Sequence, residues 1–258
     1  MIDVLINSEA QVAEIVLNNP KAMNSLAEAD LKELSAAYDE AEGAGVRALV
    51  LRGEGKGFCA GRNIKGLDPR DDDATDYLAN KVTPVLKRMS QFPAPTFAAV
   101  HGPCLGVGLG LAIATDIVYV AEDAKIGSPF ANLGATLDSG GHSLFVERLG
   151  AHRTMDLIVT GELISGREAV QSGLFSRAVA AEDLVEFTLD KATKAARGAT
   201  QAFLTSRTLV HQIRDDKAGL WESMDTENIA QGKLCESADY LEGFAAFNEK
   251  RRPNFTGK

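Results

Sequence analysis

Two glycine-rich loops carry the positions at which this chain has the means to do chemistry. They are Gly57-Phe58-Cys59-Ala60-Gly61-Arg62-Asn63-Ile64 and Gly102-Pro103-Cys104-Leu105-Gly106-Val107-Gly108. Each follows a β-rich run, and each presents backbone amides where side chains are small. The second runs into a helix, so its free N–H groups and the helix dipole favour negative charge developing on a ligand oxygen. Amides converging from both loops make an oxyanion hole. Taken singly, the glycines of either loop are also explained by tight turns and close packing.

The titratable residues narrow the chemistry further. Asp138, followed by Ser139-Gly140-Gly141, reads in isolation as a helix N-cap accepting amide hydrogen bonds. The same carboxylate beside Phe130, Leu133 and Leu137 would have its pKa raised by desolvation, as a proton carrier needs. His142 lies one helical turn beyond Asp138 and is either a second carrier or a solvent-facing residue. His101, His152 and His211 form no ligand cluster by spacing. The three cysteines, Cys59, Cys104 and Cys235, have no metal-ligand or redox spacing and read as free thiols. A Walker lysine motif, a Gly-x-Ser-x-Gly elbow and a zinc-binding histidine pair are absent, and Gly106-Val107-Gly108-Leu109-Gly110 misses the dinucleotide spacing.

These residues need a scaffold, and the patterning predicts one. Val4–Ile6 and Val12–Leu17 read as a hairpin ended by Asn18-Asn19-Pro20. Leu26, Leu31, Leu34, Tyr38 and Ala41 recur at mostly helical spacing and predict an amphipathic helix over Ser25–Ala41. Further strands are expected at Val46–Leu51, Thr96–Val100 and Ile117–Val120, with helices at Asp76–Ser90, disturbed by Pro84, and at Gly106–Ala114. Ser165-Gly166-Arg167-Glu168 has capping-box spacing. After Ala181 the pattern is helical throughout. The expected organisation is an α/β core over residues 1–197 and a helical region over 198–258.

Composition sets outer bounds. With 258 residues, 45% hydrophobic and 24% charged, the chain can bury a sizeable core without staples. The balance of 27 basic against 36 acidic residues, net −9, argues against nucleic acid as a partner. The greasiest stretch, Gly108–Val120, is interrupted by Gly110, Thr115 and Asp116, so no membrane span is expected. The N-terminus has neither signal-peptide nor transit-peptide character, which points to the cytoplasm.

Several segments together resemble the crotonase, or enoyl-CoA hydratase/isomerase, superfamily. They are Leu17-Asn18-Asn19-Pro20 with Asn24-Ser25-Leu26, the Phe58–Ile64 loop, Ala98-Ala99-Val100-His101-Gly102 with its glycine helix, and Asp239-Tyr240-Leu241-Glu242-Gly243-Phe244 through Lys250-Arg251-Arg252-Pro253. The resemblance implies a ββα spiral core with a C-terminal helical trimerisation region, a homotrimer or dimer of trimers, and an acyl-CoA thioester as substrate. No separate cofactor or metal is implied.

By position, the resemblance puts the oxyanion donors at the amides of Ala60 and Val107. It places CoA against Lys21, Ala22, Arg62, Asn63 and Ile64, with Phe247 and Lys250 coming from the terminal helix and Phe130 and Leu133 lining the acyl site. The run Lys250-Arg251-Arg252 is alternatively a solvated helix end. The two glutamates that hydratases use fall at Gly110 and Phe130, neither of which transfers a proton. Asp138 instead matches the aspartate of the branch that holds phenylacetate-pathway ring-epoxide and 3-enoyl-CoA isomerases, and is the expected base. In related dehalogenases an aspartate here is a nucleophile, but their partner histidine falls near Thr83. The resemblance therefore implies a Δ3-to-Δ2 enoyl-CoA isomerase-like enzyme, with hydration or acyl-CoA binding without turnover as the competing readings.

Overall fold

The computed structural model covers residues 1–258. In chain order the elements are β1 (Ile2–Asn7), β2 (Val12–Leu17), α1 (Glu28–Gly43), β3 (Ala48–Gly53), α2 (Ala74–Asp76), a π-helical turn (Tyr77–Val82), α3 (Thr83–Ser90), β4 (Thr96–Val100), β5 (Pro103–Leu105), α4 (Val107–Ile113), β6 (Ile117–Ala121) and β7 (Lys125–Gly127). There follow a 3-10 turn (Phe130–Leu133), α5 (Gly141–Leu149), α6 (Ala151–Thr160), β8 (Ile164–Ser165), α7 (Gly166–Gln171), β9 (Arg177–Val179), α8 (Leu184–Ala196), α9 (Thr200–Asp216), α10 (Leu220–Leu234) and α11 (Ala238–Asn248).

The strands form two sheets. The larger has the order β1-β2-β3-β4-β6-β9 and the smaller β5-β7-β8. Only β1 runs antiparallel in the large sheet, as the first arm of the expected hairpin, in register from Ile2 opposite Leu17 to Asn7 opposite Val12. From β2 onward the strands are parallel. Parallel strands need both faces covered, which is why Ala48–Leu51 and Thr96–Val100 are buried at every position. Each such strand is followed by a loop at its C-terminal end, and those loops hold the residues of interest.

Three local differences from the sequence expectation have physical causes. The first helix starts at Glu28 and not Ser25, because Leu26 is drawn into a parallel bridge with Arg62. The Asp30 carboxylate then accepts the Ala27 amide at 2.8 Å and seals the new terminus. The helix around Pro84 is continuous but widens into the π turn; Pro84 offers no N–H and its ring would crowd the Asn80 carbonyl, so the preceding turn expands. The small sheet escaped prediction because its strands are only two or three residues long, too short for alternation to register. The capping box forms as read: Ser165 Oγ accepts the Glu168 amide at 3.1 Å, and Glu168 accepts the Ser165 amide at 2.8 Å.

Past the last strand, α8 lies on the large sheet with Thr188, Ala192 and Ala196 buried. The chain beyond it is tied back through Arg47, whose guanidinium donates to Phe255 O at 2.8 Å, Gly198 O at 2.5 Å and Thr200 Oγ1 at 3.2 Å. Asp239 holds the tail by accepting the amides of Thr256 and Gly257 at 2.6 and 2.8 Å.

The two glycine loops meet backbone to backbone. Cys59 and Cys104 form a parallel bridge, and a Cβ on Gly108 would stand 2.7 Å from Cys59 Cβ, with the Cys59 carbonyl oxygen closer still. Gly108→Ala is therefore expected to lower stability by about 1–3 kcal/mol through overpacking, seen as a fall in Tm. Gly43→Ala, with nothing within 4 Å of the added carbon, is expected to leave Tm unchanged or raise it.

Candidate active site

The Phe58–Asn63 loop is held almost entirely by its own amides. Phe58 N–H donates to His101 O at 2.7 Å, Cys59 to Pro103 O at 3.0 Å, Ala60 to Met23 O at 2.9 Å and Asn63 to Leu26 O at 2.9 Å. Gly61 N–H meets Cys59 Sγ at 3.4 Å. The bridge to Leu26 uses Gly61 O and Asn63 N–H, so the Arg62 amide faces away from Leu26 and is the one amide of the six with no protein acceptor. This corrects the expectation for Ala60: its N–H is consumed in anchoring the Met23–Asn24 segment, and the free donor lies two residues further on.

Val107 lies where the second donor is needed. It is the first residue of α4, and a first-turn amide has no acceptor inside its helix. The positive φ required to enter that helix falls on Gly106, at 53°, while Val107 itself is helical, so its branched side chain causes no strain. Gly61, at φ 93°, brings the first loop against it: a Cβ there would meet Leu105 O at 2.7 Å and Val107 N at 3.6 Å. Only glycine accommodates both the angle and the approach. The free amide of Arg62 therefore follows directly on the glycine that packs against Val107 N.

Asn24 fixes the remaining wall. It is buried, its Oδ1 accepts the Asn19 amide at 2.8 Å, and its Nδ2 donates to Glu54 O at 3.0 Å and Gly57 O at 2.8 Å. Lys21 and Ala22 sit in the 3-10 turn that this clamp holds beside the Ala60 loop. Lys21, Asn63 and Ile64 are exposed at its rim.

Asp138 approaches from the other side. Ser139, at φ 52°, lies against the α4 backbone: a Cβ on Gly110 would stand 2.5 Å from Ser139 Cβ. The volume that a side chain at position 110 would occupy is already filled. The Asp138 carboxylate does not cap α5; its backbone oxygen accepts the Gly141 amide at 2.9 Å, and its side chain accepts only Ser139 Oγ, at 2.8 Å. Burial raises its pKa above the usual carboxylate value, while the Ser139 hydrogen bond and the Arg62 charge pull it down by less.

Other expected residues fall into two groups. Phe130 covers Gly106 at the mouth of α4, its Cζ 2.8 Å from a Cβ placed on that glycine, and Leu133 is exposed at the end of the same turn. Phe247, at 81% exposure, and Lys250 lie on the surface of the C-terminal segment; no hydrogen bond or ion pair ties their side chains to the Phe58–Ile64 loop within one chain. His142 is exposed, with Nε2 3.4 Å from Thr136 Oγ1. Cys59 and Cys104 are fully buried, and burial pushes the Cys59 thiol up to about 12 and that of Cys104 upward as well, so both stay neutral packing groups.

Sequence reasoning passed over two contributors. Ser139 was hidden in an Asp-Ser-Gly-Gly run that reads as a turn. Tyr77, 7% exposed, was hidden in a segment that reads as a surface helix; its ring lies under the Arg62 guanidinium, 3.8 Å from carbon to centroid, while that guanidinium forms a two-bond pair with Asp72 at 2.8 and 2.6 Å.

Comparison with known proteins assigns the chain to a family. The pattern described as enoyl-CoA hydratase/isomerase matches residues 7–258. The chain belongs to the enoyl-CoA hydratase/isomerase family. It is 37% identical over 250 residues to a probable enoyl-CoA hydratase of Bacillus subtilis strain 168, covering 96% of each chain. It is also 32% identical to the 1,2-epoxyphenylacetyl-CoA isomerase of Escherichia coli K12, covering 99% of this chain and 98% of that one. Among solved structures, the enoyl-CoA hydratase of Bacillus anthracis superposes with a TM-score of 0.89 at 29% identity, covering 100% of this chain and 99% of the other. The two-sheet core and C-terminal helices are thus the crotonase fold. The similar proteins include both hydratases and an isomerase, so the family fixes an acyl-CoA substrate and leaves the reaction open. No helix is long and apolar enough to cross a membrane.

A raised Asp138 pKa means that the folded state holds the proton more tightly than the unfolded chain, so ionising Asp138 costs stability as pH rises past the ordinary carboxylate range, about 3.9. Asp138→Asn is expected to melt above the wild type at pH 7. The gap should close as pH falls below that value, where both states of the wild type are protonated. Thermal melts of the two proteins at a series of pH values measure it.

Proposed function

We propose that this family member moves a carbon–carbon double bond within an acyl-CoA thioester, converting a 3-enoyl-CoA to the conjugated 2-enoyl-CoA. The thioester oxygen sits between the Arg62 and Val107 amides. Asp138 takes a proton from C2, the electrons spread into a dienolate whose oxygen the two amides stabilise, and the same carboxyl group returns the proton at C4. One such donor is worth roughly 3 kcal/mol in the transition state. A carboxyl with a raised pKa suits a group that must both accept and release a proton.

The observation that carries this reading is the packing of Ser139 against Gly110. It fills the place from which a hydratase glutamate would act, and it supports Asp138, held by Ser139 at 2.8 Å, as the carboxylate that acts in its stead. Phe130 stands at the second glutamate position and offers an apolar face. CoA is proposed to run along Lys21, Ala22, Asn63 and Ile64, with Phe247 and Lys250 supplied by a neighbouring subunit. The exposed apolar side chains of the last three helices, among them Phe203, Val210, Trp221, Ile229, Leu241 and Phe244, support a trimer or dimer of trimers. Ring-bearing acyl groups fit the same chemistry. The second reading, hydration of a 2-enoyl-CoA with Asp138 placing the water, is favoured by the hydratase names of the similar proteins.

Purified protein is expected to convert a linear 3-enoyl-CoA to the 2-enoyl-CoA, followed by absorbance and by mass spectrometry of the product. Asp138→Asn should lower kcat by about 10²–10⁴ while the CoA ester still binds. Equal activity in the two proteins would remove Asp138 as the base, and a product heavier by one water would favour hydration. Val107→Pro deletes one donor at a position where helices accept proline. Its kcat is expected to fall by about 10²–10³, with a melting curve establishing that it folds.

A further inference from the structure

Two tyrosine hydroxyls, Tyr38 Oη and Tyr77 Oη, are buried without any hydrogen-bond partner. A buried hydroxyl left unpaired is costly enough that most find a partner. Tyr38 packs edge-on against Phe92, ring centroids 5.7 Å apart, in the core beneath α1, remote from any group the mechanism uses. Tyr77 differs in its surroundings. Its ring is pinned by the Arg62 guanidinium, and Arg62 is the residue whose amide is the free donor of the first loop. The charges of Arg62 and Asp138 both act on the phenol, the first favouring its ionisation and the second opposing it, yet no group of the protein accepts its proton. Asp138 is itself satisfied on one side only, by Ser139. A buried hydroxyl without a protein partner therefore sits on the ring stacked against Arg62, the residue that carries the free amide of the first loop.

Local structure keeps the donor in place. Tyr77 opens the π turn that Pro84 imposes, and the stacked guanidinium, locked by Asp72, removes the ring's freedom to swing. Burial pushes the phenol up to about 12, so it remains a proton donor throughout the physiological range. A hydrocarbon acyl chain would offer it nothing, whereas a hydroxyl, epoxide or oxo oxygen would complete it.

We infer that Tyr77 Oη is a specificity-determining donor reserved for an oxygen atom on the acyl group, beyond the thioester carbonyl, and that this enzyme takes oxygen-bearing acyl-CoA esters in preference to plain hydrocarbon ones. The inference rests on the acyl-CoA site proposed above and deepens it. Tyr77 acts on binding and orientation of the acyl group and takes no part in the proton transfer.

The test is the binding of two matched pairs of non-reacting esters, butyryl-CoA with acetoacetyl-CoA and phenylacetyl-CoA with 2-hydroxyphenylacetyl-CoA, to wild type and to Tyr77→Phe by calorimetry. Wild type is expected to prefer the oxygenated member of at least one pair by about fivefold to tenfold, and Tyr77→Phe to reduce that ratio to near one with little change for the hydrocarbon member. Its Tm should equal or exceed that of wild type, because no protein hydrogen bond is lost. Ratios that stay the same in both proteins, or a Tm that falls with selectivity intact, would show that the hydroxyl has a structural role and overturn the inference while the acyl-CoA reading stands. If none of the four esters binds either protein, the acyl-CoA site itself is refuted, and the inference with it.

Discussion

The close approach of two stretches of backbone, Cys59–Arg62 against Cys104–Gly108, is the constraint on which the rest depends. Catalysis by amide donors requires two N–H groups to point at one oxygen, which means that two chains must touch where most residues carry a Cβ. Gly61 and Gly108 remove those carbons, the Cys59–Cys104 bridge sets the register, and nearly every other amide in the first loop is used up in holding it still. The proposed hole would therefore be preorganised by hydrogen bonds within the fold and cost no rearrangement when charge develops. Fully buried neutral thiols at positions 59 and 104 fill the contact with small apolar groups.

The proposed proton carrier is seated by a second close contact. The α4 helix passes the hole with Gly110 facing the following loop, and the absence of a side chain there is what lets Ser139 seat and carry Asp138 inward. Ser139 serves twice: its position fills the space, and its hydroxyl holds the carboxylate. The opposing effects on Asp138 have a clear order. Burial dominates, and the Ser139 hydrogen bond and the Arg62 charge temper it, so the group is poised toward the neutral form without being locked there.

Arg62 links these parts. Its amide is the proposed donor of the first loop, its guanidinium is neutralised by Asp72, and its face pins Tyr77. Its charge is thus committed inside the chain. Lys21 and Lys250, by contrast, are exposed and free of ion pairs within the chain.

Much of this was legible in the residues. Alternation and helical spacing placed the hairpin, the parallel strands and the C-terminal helices, because burial on one face or two imposes a period that survives in sequence. The order of the Asn18-Asn19-Pro20 turn, the two glycine loops and the C-terminal segment resembled one family, and that family is the one found. The donor assignment was not legible: Ala60 and Arg62 are two residues apart in one loop, and only the partner of each amide, Met23 O for one and none for the other, tells them apart. The start of α1, the two-residue strand β8, the seat of Ser139 on Gly110 and the stack of Arg62 on Tyr77 were equally invisible. Local sequence determined which segments are helix, strand or flexible loop, since those follow from each residue's own conformational and burial preferences. The tertiary structure alone decided which amide stays free, which carboxylate is buried and which hydroxyl lacks a partner, because each of those depends on atoms brought together from distant parts of the chain.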